Sequence, residues 1–257
     1  MTSPSRHPDA YDQLGRAYQH TRREDPRIAA RIHAALGAAR TIVNVGAGPG
    51  SYEPTGCQLI AVEPSDIMIR QRPAGAAPAV QAAAEALPLA DRSLDAAMAV
   101  LTVHHWADPR RGLAELRRVA ARVVIFCSSA VTSRMWLTAD YFPAMARQRR
   151  PDIAPEQIAA QLEGEVHIEP VLLPADCQDG FGEAFWARPE AYLDPDVRAG
   201  MSAFGLLKPA EVESGLRHLA ADLESGAWDA RHGHLRQAAE LDTGHRLIVA
   251  TGQAQAP

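Results

Sequence analysis

Hydrophobic and polar positions from residue 41 onward alternate between the period of strands and the period of helices. Short apolar runs rich in β-branched residues predict strands near 41–46, 58–63, 79–84, 94–101, 122–128, 166–173 and 246–251. Helical spacing separates most of these runs and is clearest over 110–121. Such alternation is typical of a mostly parallel sheet with helices on both faces. We therefore predict a doubly wound α/β sheet of seven strands.

Two segments lie outside this alternation. Residues 10–37 have helical spacing that is broken near Pro26 and ends at Gly37, and we expect them to form an N-terminal helical lid. Residues 174–244 separate the sixth and seventh strands and carry six of the fourteen aromatic residues. A connection of this length is usually a functional element, which predicts a helical cap. The sheet core then comprises residues 40–173 and 245–252 of one domain that spans residues 1–257.

A glycine-rich loop follows the first predicted strand. Gly46, Gly48 and Gly50 occupy alternate positions there, and Glu63 ends the second strand. Glycine lets the chain turn tightly and brings backbone N–H groups close to a ligand. A carboxylate at the tip of the next strand accepts hydrogen bonds from ribose hydroxyls. The pair predicts a site for a ligand that contains a nucleoside.

Net charge, cysteine content and the length of the apolar runs indicate which kinds of partner and compartment to expect. The 257 residues carry a net charge of −5, with a pI of about 6.1, so the chain lacks the basic character of nucleic-acid-binding or anionic-membrane-binding proteins. Three widely spaced cysteines indicate a reducing compartment. No apolar run approaches the roughly 20 residues that span a bilayer. We expect a cytoplasmic protein that binds neither membrane nor nucleic acid.

Four sequence segments, the glycine loop among them, appear in a recognisable order and together occupy about residues 40–128. They are the glycine loop at 43–50, Val-Glu-Pro-Ser at 62–65 with Met68, Ala-Glu-Ala-Leu-Pro at 84–88, and Val-His-His-Trp at 103–106 followed by a helix at 113–119. In this order the chain resembles the class I S-adenosylmethionine-dependent methyltransferases. The resemblance is to methyltransferase type 11, the branch that contains quinone-biosynthesis C-methyltransferases.

The resemblance implies a Rossmann-like fold, S-adenosylmethionine as cofactor and a small-molecule methyl acceptor. Many members have an aspartate where this chain has Ala83, so adenine recognition would fall to the backbone around Ala84 and Glu85. The N-terminal Tyr18 resembles part of the family's opening helix. Carried over residue by residue, the cofactor-binding set is Gly46, Ala47, Gly48, Gly50, Glu63, Pro64, Met68, Ala84, Glu85, Val100 and Tyr18.

Three side chains are candidates for a general base, in the order His105, His104 and Asp176. Imidazole titrates near neutral pH, and both histidines follow the fourth strand, at the sheet edge where such folds bind ligands. The alternative is that the histidines line the pocket or brace the loop. Asp176 follows the sixth strand, where it either contacts substrate or stabilises the turn before Gly180.

Other functions remain open on the sequence alone. A nicotinamide-dependent oxidoreductase would have glycine at the sixth position of the loop, where this chain has Ser51. A protein of this fold can also bind the cofactor without transferring methyl. His232 and His234 do not have the spacing of a zinc site, and we expect no metal. The pattern is compatible with a monomer or a homodimer.

Overall fold

The computed structural model describes residues 22–148 and 150–252. Nine strands are present in this part of the chain: β1 Thr41–Val45, β2 Gln58–Val62, β3 Ala79–Val80, β4 Leu94–Val100, β5 Ala120–Ser128, β6 Glu165–Pro170, β7 Leu173–Pro174, β8 Glu240–Leu241 and β9 His245–Thr251. Seven of them form one sheet in the order β3-β2-β1-β4-β5-β9-β6, and β7 pairs with β8. The predicted seven-stranded α/β sheet is confirmed.

Pairing within the sheet is parallel except at β9. That strand runs antiparallel to β5 and to β6, with His245 opposite Ser128. The first residue of β9 therefore lies at the same edge of the sheet as the carboxyl end of β5. The third strand is shorter than its predicted range of 79–84, because its partner β2 ends at Val62, opposite Val80.

The α-helices of the described chain are α1 Pro26–Leu36, α2 Asp66–Arg70, α3 Pro109–Val119, α4 Pro155–Ala159, α5 Pro195–Ala199, α6 Ser202–Gly205, α7 Pro209–Ser225 and α8 Ala227–His232. Several begin with proline, which tolerates the first helical position because the N–H there has no partner within the helix. Pro26 accordingly starts α1, and Gly37 ends it with a φ of 65°. Residues 10–21 of the predicted lid lie outside the described residues.

Residues 131–163 have helical spacing that is interrupted by three prolines, and in the structure they form mostly a series of short turns. It contains 3₁₀ turns at Ala130–Arg134, Pro143–Gln148 and Pro151–Ile153, a π turn at Leu137–Tyr141, and α4. Proline has no N–H and clashes with the preceding turn, so Pro143, Pro151 and Pro155 prevent one continuous helix. None of the helices described is long and apolar enough to cross a bilayer.

Apolar side chains are buried on both faces of the sheet. One face packs against α1 and the segment over 174–244, and the other packs against α3 and α4. The 174–244 segment, called the cap below, has its own aromatic core that includes Trp186, Tyr192 and Trp228. Trp186 is fully buried and donates from its indole N–H to the carbonyl of Leu173 over 3.1 Å. The β7–β8 ribbon joins the two ends of the cap.

Candidate active site

The glycine loop is held against β2 and β4. The N–H groups of Gly46 and Ala47 both donate to the carbonyl of Val62, over 2.8 and 3.1 Å. Gly46 has a φ of 69°, and a Cβ there would lie 2.0 Å from Thr102 Oγ1. Only glycine fits this position, because both the backbone conformation and the close approach of Thr102 exclude a side chain.

Glu63 connects the tip of β2 to this loop. Its carboxylate accepts from the N–H of Gly48 over 2.8 Å and from the N–H of Ser65 over 3.0 Å. Burial raises the pKa of the Glu63 carboxyl, and the hydrogen bonds from Ser65 and Gly48 oppose that rise. An acid that is 7% exposed and bonded to the loop backbone is part of the site's framework as well as a candidate ligand group.

Asn44 adds a second polar group beneath the loop. Its amide N–H donates to Glu53 over 3.1 Å, and Arg72 donates to the other oxygen of Glu53 over 2.7 Å. The Asn44 Oδ1 atom is buried and accepts no hydrogen bond from a described residue. Since a buried acceptor without a partner is costly, this oxygen is suited to a ligand that donates hydrogen bonds.

A cavity of about 270 Å³ opens beside the loop, and we call it the first cavity. Most of the predicted cofactor residues line it: Gly46, Ala47, Gly48, Glu63, Pro64, Met68, Ala84, Glu85 and Val100. Gly50 does not line it but lies in the same loop, with a φ of 102°. Tyr18 lies outside the described residues.

A second cavity, of about 510 Å³, lies between the carboxyl edge of the sheet and the cap. Five residues line both cavities: Arg22, Leu101, His105, Ser202 and Leu206. We call these residues the shared wall. Two adjoining cavities with a common wall are suited to hold two reactants side by side.

Leu101 of the shared wall has a strained backbone. Its φ is 50°, a value that a leucine rarely adopts, and its N–H donates to the carbonyl of Phe126 over 2.8 Å. A left-handed conformation in a residue other than glycine costs of order 1–3 kcal/mol and often marks a functional site. Here it turns the chain sharply after β4 at the boundary between the cavities.

The structure separates the three candidate bases. His105 lies on the shared wall and His104 lines the second cavity, with the two ring centroids 3.7 Å apart. Asp176 is not at the site, because its side chain is 79% exposed and pairs with Arg27 over 2.8 Å. Asp176 lines neither cavity and is not retained as a base candidate.

A buried network joins the loop to the cap. Tyr52 has a φ of 65°, and its hydroxyl donates to Asp179 over 2.8 Å. Arg22 donates to the same carboxylate over 2.6 Å, and Asp179 is 1% exposed. Burial, followed by the charge of Asp179, raises the pKa of Tyr52, so its hydroxyl keeps its proton.

Some residues of the two cavities were not among the sequence candidates. Ser202 and Leu206 come from the cap, where neither residue type indicates chemistry. Glu183 and His245 line the second cavity and lie far apart in the chain. The sequence signal for His245 was its position next to the last predicted strand, which becomes β9. Within the described ranges, no group of three or more His, Cys, Asp or Glu side chains is arranged to hold a metal ion.

Comparison with known proteins bears on this site directly. A sequence profile of the methyltransferase domain matches residues 43–127, which contain the loop, Glu63 and both histidines. A candidate methyltransferase from an antibiotic biosynthesis pathway of Anabaena variabilis, known from a crystal structure, is 33% identical. The match covers 89% of this chain and 98% of that one, with a TM-score of 0.82. The chain belongs to the S-adenosylmethionine-dependent methyltransferases.

More distant structures share the fold of this methyltransferase. The [4+2]-cyclase SpnF is 15% identical over 95% of each chain, with a TM-score of 0.57. A S-adenosylmethionine-dependent methyltransferase from Thermotoga maritima is also 15% identical, over 96% of this chain and 100% of its own, with a TM-score of 0.53. None of the curated proteins searched matches significantly. The family assignment makes S-adenosylmethionine the cofactor, and the donor set fits it: a buried acid, an unpartnered amide oxygen and a glycine cradle.

Proposed function

We propose that this methyltransferase methylates a small organic molecule bound in the second cavity. The observation that carries the proposal is the shared wall, which connects that cavity to the one lined by the cofactor-binding sequence motifs. A volume of about 510 Å³ is within the range of pockets that bind single small molecules. The Anabaena variabilis relative is named for an antibiotic biosynthesis pathway, and a small organic acceptor is compatible with that description.

In this proposal the first cavity holds S-adenosylmethionine. Glu63 accepts hydrogen bonds from the ribose hydroxyls, Pro64 and Met68 flank the adenine, and backbone around Ala84 and Glu85 binds its edge. Asn44 Oδ1 accepts from the ammonium of the methionine moiety, which gives that buried oxygen a partner. When bound, the cofactor supplies an electrophilic methyl group on a sulfonium.

The residues of the shared wall align the acceptor. Leu101 and Leu206 supply apolar contacts that exclude water, and alignment itself accounts for much of the catalysis of a direct displacement. His105 is the first candidate to take a proton from the acceptor, since it lines both cavities. His104 lines the second cavity alone and is the second candidate.

The test has two stages. Calorimetry should detect binding of S-adenosylmethionine and S-adenosylhomocysteine, and release of S-adenosylhomocysteine is then followed with a panel of phenols, amines and carbon acids.

His105→Ala should keep its affinity for S-adenosylhomocysteine and lose about a hundredfold or more in turnover, the range of general-base contributions. His167→Ala, at an exposed position of β6, is the matched control. Tight binding of the cofactor without release from any acceptor would instead favour a non-transferring protein, and undiminished turnover of His105→Ala would remove this residue from catalysis.

A further inference from the structure

Two polar side chains, His245 and Glu183, lie in the second cavity away from the shared wall. His245 is 1% exposed, and its Nδ1 atom is hydrogen-bonded to the hydroxyl of Thr243 over 2.9 Å. Its Nε2 atom lies 3.8 Å from Glu183 Oε2. Both side chains line the second cavity, and neither lines the first. A buried imidazole and a carboxylate thus face each other at one end of the proposed acceptor site.

The separation of these two groups is informative. A distance of 3.8 Å between Nε2 and Oε2 is too long for a hydrogen bond between them. The Thr243 hydroxyl can donate to Nδ1, in which case Nε2 carries the proton and acts as a donor. A ligand hydroxyl can then accept from His245 and donate to Glu183 at the same time. Neither an ammonium nor a carboxylate makes both bonds, because the first lacks an acceptor and the second lacks a donor.

Ser133 provides an independent sign of a polar ligand. Its hydroxyl oxygen is buried, lines the second cavity and makes no hydrogen bond with a described residue. The turn that carries it, Ala130–Arg134, packs on the residue before His245, because a Cβ on Gly244 would lie 2.8 Å from Thr132 N. The N–H of Ser129 also donates to the carbonyl of Gly244 over 2.7 Å. Ser133 and His245 are therefore carried by two segments in direct contact.

Sheet geometry separates this group from the proposed transfer point. Leu101 follows β4 and His245 begins β9, with β5 between them. Adjacent strands are about 4.8 Å apart, so these two backbone positions are roughly 10 Å from each other. His105 lies on the shared wall, whereas His245 does not. The position of His245 suits recognition of a distant group of the acceptor rather than proton removal at the methylated atom.

The second cavity is partly apolar between His245 and the shared wall. Phe181 packs on the His245 ring with a centroid distance of 4.8 Å, and Met145 and Met201 line the same cavity. Phenylalanine rings and methionine thioethers make favourable contacts with aromatic ligands. We propose that Glu183 and His245 recognise a hydroxyl of an aromatic acceptor, at the end opposite the atom that is methylated. This inference rests on the proposed function, because it takes the second cavity as the acceptor site.

Two probes isolate the distal hydroxyl: para-phenylphenol and the biphenyl with hydroxyls at both para positions. Binding of each to the protein saturated with S-adenosylhomocysteine is measured by calorimetry or ligand-observed NMR. The dihydroxy probe should bind about tenfold more tightly, the effect of a good hydrogen bond to a charged group. Glu183→Gln and His245→Phe should reduce that preference to about threefold or less. Glu240→Gln, at an exposed position of β8, should keep it.

The experiment distinguishes failure of this inference from failure of the proposed function. Equal binding of the two probes, binding of neither, or a tenfold preference retained in Glu183→Gln each overturns the inference. Glu183→Gln keeps the test decisive if His245→Phe does not fold, since the substitution preserves shape at a half-buried position. Affinity for S-adenosylhomocysteine should be the same in every variant. A wild-type protein that transfers methyl but binds the two probes equally contradicts only this inference. A wild-type protein that prefers the dihydroxy probe but releases S-adenosylhomocysteine with no acceptor contradicts the proposed function.

Discussion

Glu63 illustrates how one residue can serve both the fold and the ligand. Its two oxygens bond the N–H groups of Gly48 and Ser65, which fixes the loop relative to α2. The same carboxylate lines the first cavity, so it faces the proposed ribose site with its position already set. Each oxygen has more than one lone pair, and the backbone bonds leave acceptor capacity for ligand hydroxyls.

Glu63→Gln should weaken binding of S-adenosylhomocysteine by about 1–3 kcal/mol, because the amide replaces one acceptor by a donor and removes the charge. Isothermal titration calorimetry measures the change directly. Glu165→Gln, on the exposed edge strand β6, is a matched control that should bind like the wild type. A folded Glu63→Gln protein with wild-type affinity would show that this acid does not contact the cofactor.

At the level of elements, α1 is tied to the cap through its N-cap. Asp25 accepts from the N–H of Arg27 over 3.0 Å and from the N–H of Gln178 over 3.1 Å. Its carboxylate also pairs with the Arg27 side chain over 2.7 Å. Burial raises the pKa of Asp25, but the Arg27 side chain and the two backbone donors outweigh it and lower the pKa to about 2.

This shift predicts how the stability of the protein depends on pH. The folded-state pKa is below the ordinary value of 3.8, so the stabilisation is present above that pH and is lost as the pH falls toward about 2. Asp25→Asn keeps a capping side chain without the charge, and should lower the free energy of unfolding by about 2 kcal/mol at neutral pH. Denaturant unfolding at several pH values should show that the difference from the wild type shrinks between pH of about 4 and 2.

Asp66→Asn, at an exposed position in the first turn of α2, controls for loss of a surface carboxylate. If the Asp25→Asn difference were the same at every pH, the ion pair with Arg27 would not be the source of its effect.

On the scale of the whole molecule, the network of Tyr52, Asp179 and Arg22 connects the glycine loop to the cap. Tyr52 follows the glycine loop and lines the first cavity, and Asp179 belongs to the cap, so their hydrogen bond joins the loop to the cap. The same buried carboxylate also accepts from Arg22, which lines both cavities. Cofactor binding and the position of the cap should be energetically linked through it.

Tyr52→Phe should lower the free energy of unfolding by about 1–3 kcal/mol, since it leaves one oxygen of the buried Asp179 carboxylate without this donor. It should also weaken S-adenosylhomocysteine binding if the network positions the loop. A double-mutant cycle with Asp179→Asn measures the coupling, which we expect to exceed 0.5 kcal/mol for residues in direct contact. Strictly additive effects of the two substitutions would contradict the coupling.

The parts of the molecule that the sequence predicted are those determined by short-range patterns. The glycine loop and Glu63 follow consecutive strands, and parallel pairing of those strands brings them to one edge of the sheet. Local spacing is therefore enough to predict most of the first cavity. His105 was also accessible to this reasoning, since it follows β4 closely.

The second cavity could not be predicted in the same way, because its residues come from segments that only the tertiary fold brings together. Glu183 belongs to the cap and His245 to β9, and no sequence period relates them. Asp176 shows the converse, since this carboxylate belongs to the first residues of the cap, yet it is exposed to solvent and pairs with Arg27. Leu101 likewise combines a left-handed backbone with a hydrogen bond to Phe126 of the neighbouring strand, and neither feature has a local sequence signature.

The antiparallel placement of β9 has a consequence for biosynthesis. This strand is the last of the sheet to be translated, yet it occupies an interior place between β5 and β6. A ribosome-bound chain that ends before residue 245 exposes the unpaired edge of β5, which is apolar and prone to association. Such a chain also lacks His245 and therefore part of the lining of the second cavity. The nascent protein therefore acquires its complete sheet and its second cavity in one late step, after the glycine loop has already been synthesised.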